Sequence, residues 1–507
     1  MADVLSRPPG VVGREREWRL LADFVRDPAP ALRLGVVSGR RRHGKSYLLR
    51  ALTEAVGGLY VTVVREEGRL AALQRFSDAI AAHAGLRPGV LRLTNWYQVL
   101  NNALDVVARR AVTPLLVIDE LPHLLQHSPE VPGVLQQIYD ERQRGSTGNG
   151  GRVILCGSAM GVMHQLLSGA APLRGRAVVD LRLAPFDYRA SRTFWEIEDP
   201  CTALRVHAVL GGAPGYRSIA SRPAPGGDGF SRWITGTVLD PGRTVHSRIE
   251  TGSLLREDPR IVQHTLYYDI LTAIAQGAST PTKIGSALAR QRNAVSHPLD
   301  VLESTGYVRR EQDVLRARHP VITLTDPVIR FNQLITLPQA DTIEQGFAEQ
   351  AWRASAPTFS SKILGPHFEE LARIWALRYA HAVLPDGLPG PVGTTEVPDP
   401  AARTKHEVDV LALALGERPQ APRARIALLG EAKATLARRG TGDLERLEHI
   451  RELLGAQGYG TSGTVLVLFS LHGFYPDVVR LAARRRDLLL VDLPALYGVG
   501  PVLGLGG

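Results

Sequence analysis

The sequence predicts an α/β protein built from several domains, and three observations carry that reading. Short apolar strands alternate with helical stretches in both the N-terminal and C-terminal parts of the chain. A glycine-rich turn bearing a lysine stands between one such strand and the helix after it. Near the C-terminus, two further apolar strands carry carboxylates and a second lysine.

The elements follow in order. Residues 32–38 (LRLGVVS) read as a short buried strand, and 47–56 as a helix with apolar residues at helical spacing. A strand over 58–64 precedes helices over 70–84 and 96–111. Apolar strands follow at 114–118 (PLLVI) and 152–156 (RVILC), the second fed by a flexible loop, RGSTGNGG, at 144–151. Residues 184–220 turn helical, and the Pro/Gly-rich stretch 221–242 reads as a surface loop. Three short helices and a β-hairpin are expected over 267–326, then a helix over 327–335. The last domain opens near Pro357 with a periodic helix over 364–379. It continues with strands at 407–415 and 425–431, helix 444–454, strand 463–469, helix 476–483 and strand 488–493. There is no internal repeat.

With 507 residues the chain has room for roughly three to four domains. No run approaches the ~18 apolar residues that span a bilayer. Residues 1–10 lack the apolar core of a secretory signal. Cys156 and Cys201 are too few to staple such a chain, and no Cys/His cluster has zinc-finger spacing, so a reduced, cytoplasmic protein with no membrane partner is expected. The net charge of +10 suits nucleic acid, although it is a modest excess over this length. Only five of the 60 basic residues are lysine: Lys45, Lys283, Lys362, Lys405 and Lys433. Where arginine is so favoured, a retained lysine points weakly to a need for a compact charge.

Two of the five lysines fall in motifs. Gly39–Ser46, GRRRHGKS, fits G-x-x-x-x-G-K-[ST] between a predicted strand and a predicted helix, which makes it a phosphate-binding P-loop. Gly39 and Gly44 let the backbone turn its N–H groups onto phosphate, and the helix N-terminus adds positive potential. Lys45 would reach the β- and γ-phosphates of ATP, and the Ser46 hydroxyl would ligate Mg²⁺. At least one of Arg40, Arg41 and Arg42 should point away from the nucleotide. The strand end PLLVIDE supplies Asp119 for the Mg²⁺ shell and Glu120 to polarise the attacking water. Ser158, just past the strand RVILC, could sense the γ-phosphate or simply cap a helix. Arg174 or Arg176, in PLRGR, could act as an arginine finger or be a solvated surface charge.

Several boxes now stand in order: VVGREREW (11–18), SGRRRHGKSYLL, LLVIDELPHLL, VILCGSAMG, APLRGRA and GGAPGY (211–216). Together they resemble the prokaryotic P-loop ATPases near the AAA and STAND groups that carry a winged helix and a C-terminal nuclease-like domain. The resemblance implies that Val12 and Gly13 lie near the adenine and that Arg176 is the arginine of an L-x-G-R box. The long 221–256 stretch departs from the compact family pattern.

Residues 267–326 independently suit a winged helix-turn-helix. Its third helix, about 293–304, would read DNA, with Arg290, Arg292 and Asn293 at its leading end and Arg309 and Arg310 at the start of the wing. The same module could instead be a packing spacer. At the C-terminus, HEVDVLALAL carries Asp409 and RIALLGEAKA carries Glu431 and Lys433. The i, i+2 spacing puts Glu431 and Lys433 on one strand face, and pairing of the two strands would bring Asp409 beside them. This is the PD-(D/E)XK pattern in its D…E-x-K form. Asp409 and Glu431, with Glu369 from the preceding helix, would hold a divalent metal, and Lys433 would help orient a water toward a phosphodiester. An edge salt bridge among Glu407, Asp409 and Lys433 is the plainer alternative.

The predicted fold class is therefore α/β: a P-loop NTPase domain (1–183), a helical lid and linker (184–264), a winged helix (265–335) and a restriction-endonuclease-like domain (356–507). The expected protein is an ATPase that couples nucleotide state to DNA binding or metal-dependent cleavage, with ATP and Mg²⁺ as cofactors, DNA as partner and a possible homo-oligomer. The rival readings are a STAND-type switch with a silent C-terminal domain, and a winged-helix DNA-binding regulator.

Overall fold

The structure is a computed structural model that describes residues 5–110, 113–144, 150–223, 228–243, 247–256, 258, 260, 261, 263–317, 320–385 and 387–504. Most of the loop expected over 144–151 lies outside the described residues. Contacts divide the chain into two compact units. One comprises Met1–Phe186 with the returning segments Ala213–Tyr216 and Leu254–Val262; the other holds the remainder.

The first unit is built on five strands: β1 (Arg33–Ser38), β2 (Leu59–Thr62), β3 (Leu115–Asp119), β4 (Arg152–Gly157) and β5 (Ala177–Arg182). They form one parallel sheet in the order β2-β3-β4-β1-β5. The continuous apolar runs follow from burial on both faces, as a parallel sheet requires. Alternate residues sort onto the two faces: Leu34, Val36, Leu116, Ile118, Val153 and Leu155 join a core with Phe76 and Trp96. Val37, Leu115, Val117, Ile154 and Cys156 meet Trp18 and Phe24 on the other side. The sequence reading missed β5 because this edge strand is half-exposed, with Val178 facing out.

The second unit begins with helices Tyr188–Trp195 and Pro200–Leu210. The stretch expected to be a surface loop, 221–242, is in part a buried helix. Gly229–Trp233 is α-helical and continues as a π-helical turn, Ile234–Val238. Phe230, Trp233, Ile234 and Val238 are buried, and the Phe230 ring lies 5.9 Å from Trp352 and 5.8 Å from Phe359. Flanking Gly and Pro residues hid this short apolar stripe, which tertiary packing stabilises.

Helices His264–Ala275, Pro281–Ala287 and Arg292–Ser304 lead into an antiparallel hairpin, β6 (Val308–Glu311) and β7 (Val321–Leu324). After helix Gly365–Arg378 comes a mixed sheet of β8 (Val392–Asp399), β9 (Thr404–Leu413), β10 (Ile426–Lys433), β11 (Val465–Ser470), β12 (Leu488–Asp492) and β13 (Leu503–Gly504). Its order is β13-β12-β11-β10-β9-β8, with β10, β11 and β12 parallel and the outer pairs antiparallel. Helices Thr441–Ala456 and Pro476–Ala482 cover one face, where Leu444, Leu447, Ile450 and Val478 pack on Leu429, Leu466 and Leu468. β8 was not foreseen, since VGTTEVPD alternates weakly and contains a proline; it survives at a sheet edge, where a missing N–H is tolerated. Among the described residues, no helix is long and apolar enough to cross a membrane.

Candidate functional site

In the first unit the sheet order leaves β4 between β1 and β3, so three strand ends converge at one carboxyl edge. The loop after β1 turns through Gly39 and through Gly44, whose φ of 87° is left-handed. A Cβ at Gly39 would stand 2.7 Å from the Leu183 carbonyl oxygen, so only glycine fits. The helix Lys45–Val56 then starts with its N-terminus at the loop. Lys45 is buried, and its Nζ donates to the Arg40 carbonyl at 3.1 Å. Val12 and the left-handed Gly13 sit just ahead of helix Glu15–Arg26.

Asp119 ends β3 almost fully buried. Burial works to raise its carboxyl, but hydrogen bonds from Tyr60, Cys156, Ser46 and the Glu120 N–H outweigh it and hold the group below its ordinary value. The Tyr60 hydroxyl donates to Oδ2 at 2.5 Å. Asp119 thus stays anionic beside the Ser46 hydroxyl, a donor set that fits Mg²⁺. Glu120 takes a left-handed turn, φ 58°, and its Oε2 accepts from the Ser158 hydroxyl at 3.2 Å. Ser158 therefore links the end of β4 to Glu120. Arg176 makes a two-pronged ion pair with Asp140, at 3.1 and 3.0 Å. Arg174 donates to the Gly169 carbonyl at 2.7 Å.

Sequence reasoning did not single out Tyr60, and it assigned no role to GGAPGY. In the structure the Gly215 N–H donates to the Arg42 carbonyl at 2.9 Å, and the Arg42 guanidinium lies over the Tyr216 ring at 5.2 Å. Pro214 abuts Gly44. Arg14 braces the same loop, donating to the carbonyls of His43 (3.0 Å) and Ala184 (2.8 Å). The unusual G-A-P-G-Y string was the available signal, yet nothing in one sequence says which loop it touches.

A second cluster lies in the other unit. Val410 pairs with Gly430, which brings Asp409 beside Glu431 on the neighbouring strand. On the β8 side the register steps from Gly393–Leu411 to Thr395–Val408, so Thr394 alone faces both Asp409 and Val410. The regular β9–β10 pairing puts Asp409 on the sheet face of Leu411 and Leu413, directly across from Glu431. Its Oδ2 accepts the Ala432 N–H at 2.9 Å and lies 3.7 Å from Lys433 Nζ, which is also 3.4 Å from Glu431 Oε1. Burial pushes the Asp409 carboxyl up. Glu369, on helix Gly365–Arg378, is pushed up to about 7, by burial first and by the Asp409 charge second. Glu431 Oε1 is also held by Arg446 and, at 3.8 Å, by Arg439, while its buried Oε2 has no hydrogen-bond partner. An orphaned carboxylate oxygen beside two more carboxylates fits a divalent cation; the three cations on Oε1 compete with one. The ion pairs of Lys433 go to Asp409 and Glu431, the two carboxylates of the expected metal site.

At the expected reading helix, Arg290, Arg292 and Asn293 are exposed. The wing arginines are paired: Arg309 with Glu311 and Glu370, Arg310 with Asp300 and Glu303.

Residues 12–199 match a family described as an ATPase domain predominantly from Archaea. An uncharacterised protein of Methanocaldococcus jannaschii is 23% identical over 318 residues, 61% of this chain, and the match spans 66% of that relative's length. A Walker-type ATPase of Pyrococcus abyssi is similar in structure, 21% identical with a TM-score of 0.48, over 65% of this chain and 99% of that one. The ORC2 protein of Aeropyrum pernix, in its ADPNP–ADP complexes, is 15% identical with a TM-score of 0.47, over 69% of this chain and 98% of that one. Residues 12–199, with their glycine-turned loop, buried Lys45 and anionic Asp119, are thus an ATPase domain of the type found predominantly in Archaea.

Proposed function

We propose that this chain is an ATPase acting on nucleic acid, in which nucleotide state governs a metal-dependent phosphodiesterase site formed by Asp409, Glu431 and Lys433. The observation that carries the second half is the meeting of those three side chains on paired strands, with Lys433 within 3.7 Å of both carboxylates. Side chains 22 and 24 positions apart in sequence need a specific register to meet, and the antiparallel pairing of β9 with β10 supplies it.

In the ATPase site Lys45 neutralises the β- and γ-phosphates, Ser46 and Asp119 hold Mg²⁺, and Glu120 polarises water, with Ser158 orienting Glu120. In the C-terminal site Asp409, Glu431 Oε2 and Glu369 would hold the cation. A divalent cation held by these carboxylates would supply a water of lowered pKa and offset phosphate charge. Lys433 stabilises the charge that develops on the phosphate oxygens. In this reading the chain comprises a P-loop domain (1–183), a helical lid and linker (184–264), a winged helix (265–335) that meets DNA through Arg290, Arg292 and Asn293, and a nuclease-like domain (356–507). The exposure of those three, and the pairing of Arg309 and Arg310, shift the expected contact from wing to helix.

A second reading has its own support. Lys433, Arg439 and Arg446 all approach Glu431 Oε1, which neutralises the carboxylate without a metal and suits a silent, partner-binding domain under a STAND-like switch. Plasmid nicking with Mg²⁺ or Mn²⁺, with and without ATP, separates the two. Cleavage that Asp409→Ala abolishes supports the first; intact plasmid under all conditions, with ATP still hydrolysed, supports the second.

A further inference from the structure

We infer that Asp399, His406 and His449 form a binding site for a transition-metal dication of the Zn²⁺ class, separate from both sites above. Asp399 ends β8, His406 lies near the start of β9, and His449 is in helix Thr441–Ala456. Val397 pairs with His406, so Asp399, two residues on, is a diagonal neighbour on the same sheet face. The helix packs over that face and delivers His449 from above.

The donor atoms converge. His449 Nε2 stands 2.7 Å from Asp399 Oδ2, and His406 Nε2 stands 3.4 Å from the same oxygen. One ligand atom from each residue lies within 4.8 Å of the other two. The imidazole rings are nearly perpendicular, at 87° with centroids 5.5 Å apart, so both can aim a lone pair at one point. Asp399 Oδ1 accepts the Ala402 N–H at 3.0 Å, which fixes the carboxylate and leaves Oδ2 for the site.

Metal–ligand distances of about 2.0–2.1 Å in a tetrahedral shell put ligand atoms roughly 3.3–3.4 Å apart. The His406–Asp399 separation already has that value. His449 must withdraw by a few tenths of an ångström, and its half-exposed side chain has the freedom to do so. Two imidazoles and one carboxylate select a borderline dication over Mg²⁺, which prefers oxygen ligands. Three protein ligands with an open side leave a fourth position for water. The ion would clip the β8–β9 hairpin to the helix that also carries Arg446, the partner of Glu431.

The test uses the full chain stripped with a chelator and then titrated with Zn²⁺ or Co²⁺ in the absence of ATP. Wild type should take up one equivalent that His449→Gln binds at least ~10-fold more weakly. Co²⁺ in wild type should show the visible absorption of a four-coordinate ion, and a Zn²⁺-dependent rise in Tm should accompany it. Asp409→Ala should keep both signals, because its site is elsewhere. His449→Gln removes an exposed ligand and should keep the metal-free Tm of wild type, which reports that it folds. Equal uptake by wild type, His449→Gln and a His406→Ala/His449→Gln double variant would overturn the inference. So would Co²⁺ uptake by wild type with the weak spectrum of a hexaaqua-like ion.

Discussion

Lys45 has no substitute among its neighbours, since a point charge on a flexible stem must reach past the loop that its Nζ now bonds. Lys45→Ala should abolish ATP hydrolysis and weaken nucleotide binding, as read by turnover and by titration with a fluorescent ATP analogue. Glu120→Gln keeps the hydrogen bond to Ser158 in shape but loses the charge that polarises water. It should bind ATP yet turn over on the order of 10²–10⁴-fold more slowly in a single-turnover assay. Arg176 is the test of a shared site. Its bidentate bond to Asp140 must break for it to reach a nucleotide on a second chain. If it does so, mixing Arg176→Ala with Lys45→Ala protein should restore part of the activity, because each lacks a different half. No recovery at any mixing ratio would confine each site to its own chain.

Helix ends and loop turns explain why particular residues were recognisable and others were not. Asp187 caps helix Tyr188–Trp195 by accepting the Ala190 N–H at 2.9 Å, and also accepts from Tyr379 at 2.5 Å and Arg378 at 3.2 Å. Burial works to raise its carboxyl, but these donors hold it below its ordinary value. Such a group stabilises the fold above the unfolded carboxylate pKa near ~4, and the contribution is lost as pH falls through that range. Asp187→Ala should therefore cost about 1–2 kcal/mol at neutral pH and distinctly less near pH ~3, by urea denaturation at each pH. The sequence shows only that 184–220 turns helical; it marks out neither the Asp187 cap nor Tyr379, 192 positions on. The pairing of Asp409 is the sharper case. A period-2 reading places Glu431 and Lys433 on one face from spacing alone, whereas what Asp409 meets depends on the β9–β10 register, which leaves no local mark in HEVDVLALAL.

Across the whole chain, the nucleotide site and the proposed metal-dependent site fall in separate compact units. Asp409→Ala should remove metal-dependent cleavage while ATP hydrolysis stays within about twofold of wild type, since the two sites belong to separate units and share no partner residue. Loss of both would mean that the C-terminal charges serve the fold or the coupling. DNA binding should fall with salt, and removing Arg292 should lower the slope of log K against log salt by about one.

Local sequence was enough wherever a function is written in adjacent residues. GRRRHGKS dictates a phosphate loop because glycine conformations, a helix N-terminus and a lysine must follow one another along the backbone. The strand–helix alternation likewise announces a parallel sheet, because period and apolarity are properties of short windows. What packing settled involves residues far apart along the chain. Gly215 and Tyr216 meet the loop at Arg42, Tyr60 bonds Asp119, an apolar helix occupies 229–238, and two histidines 43 positions apart turn to one carboxylate oxygen. Each depends on strand order and register. Those are fixed by burying many apolar side chains at once, and no single window of sequence contains that sum.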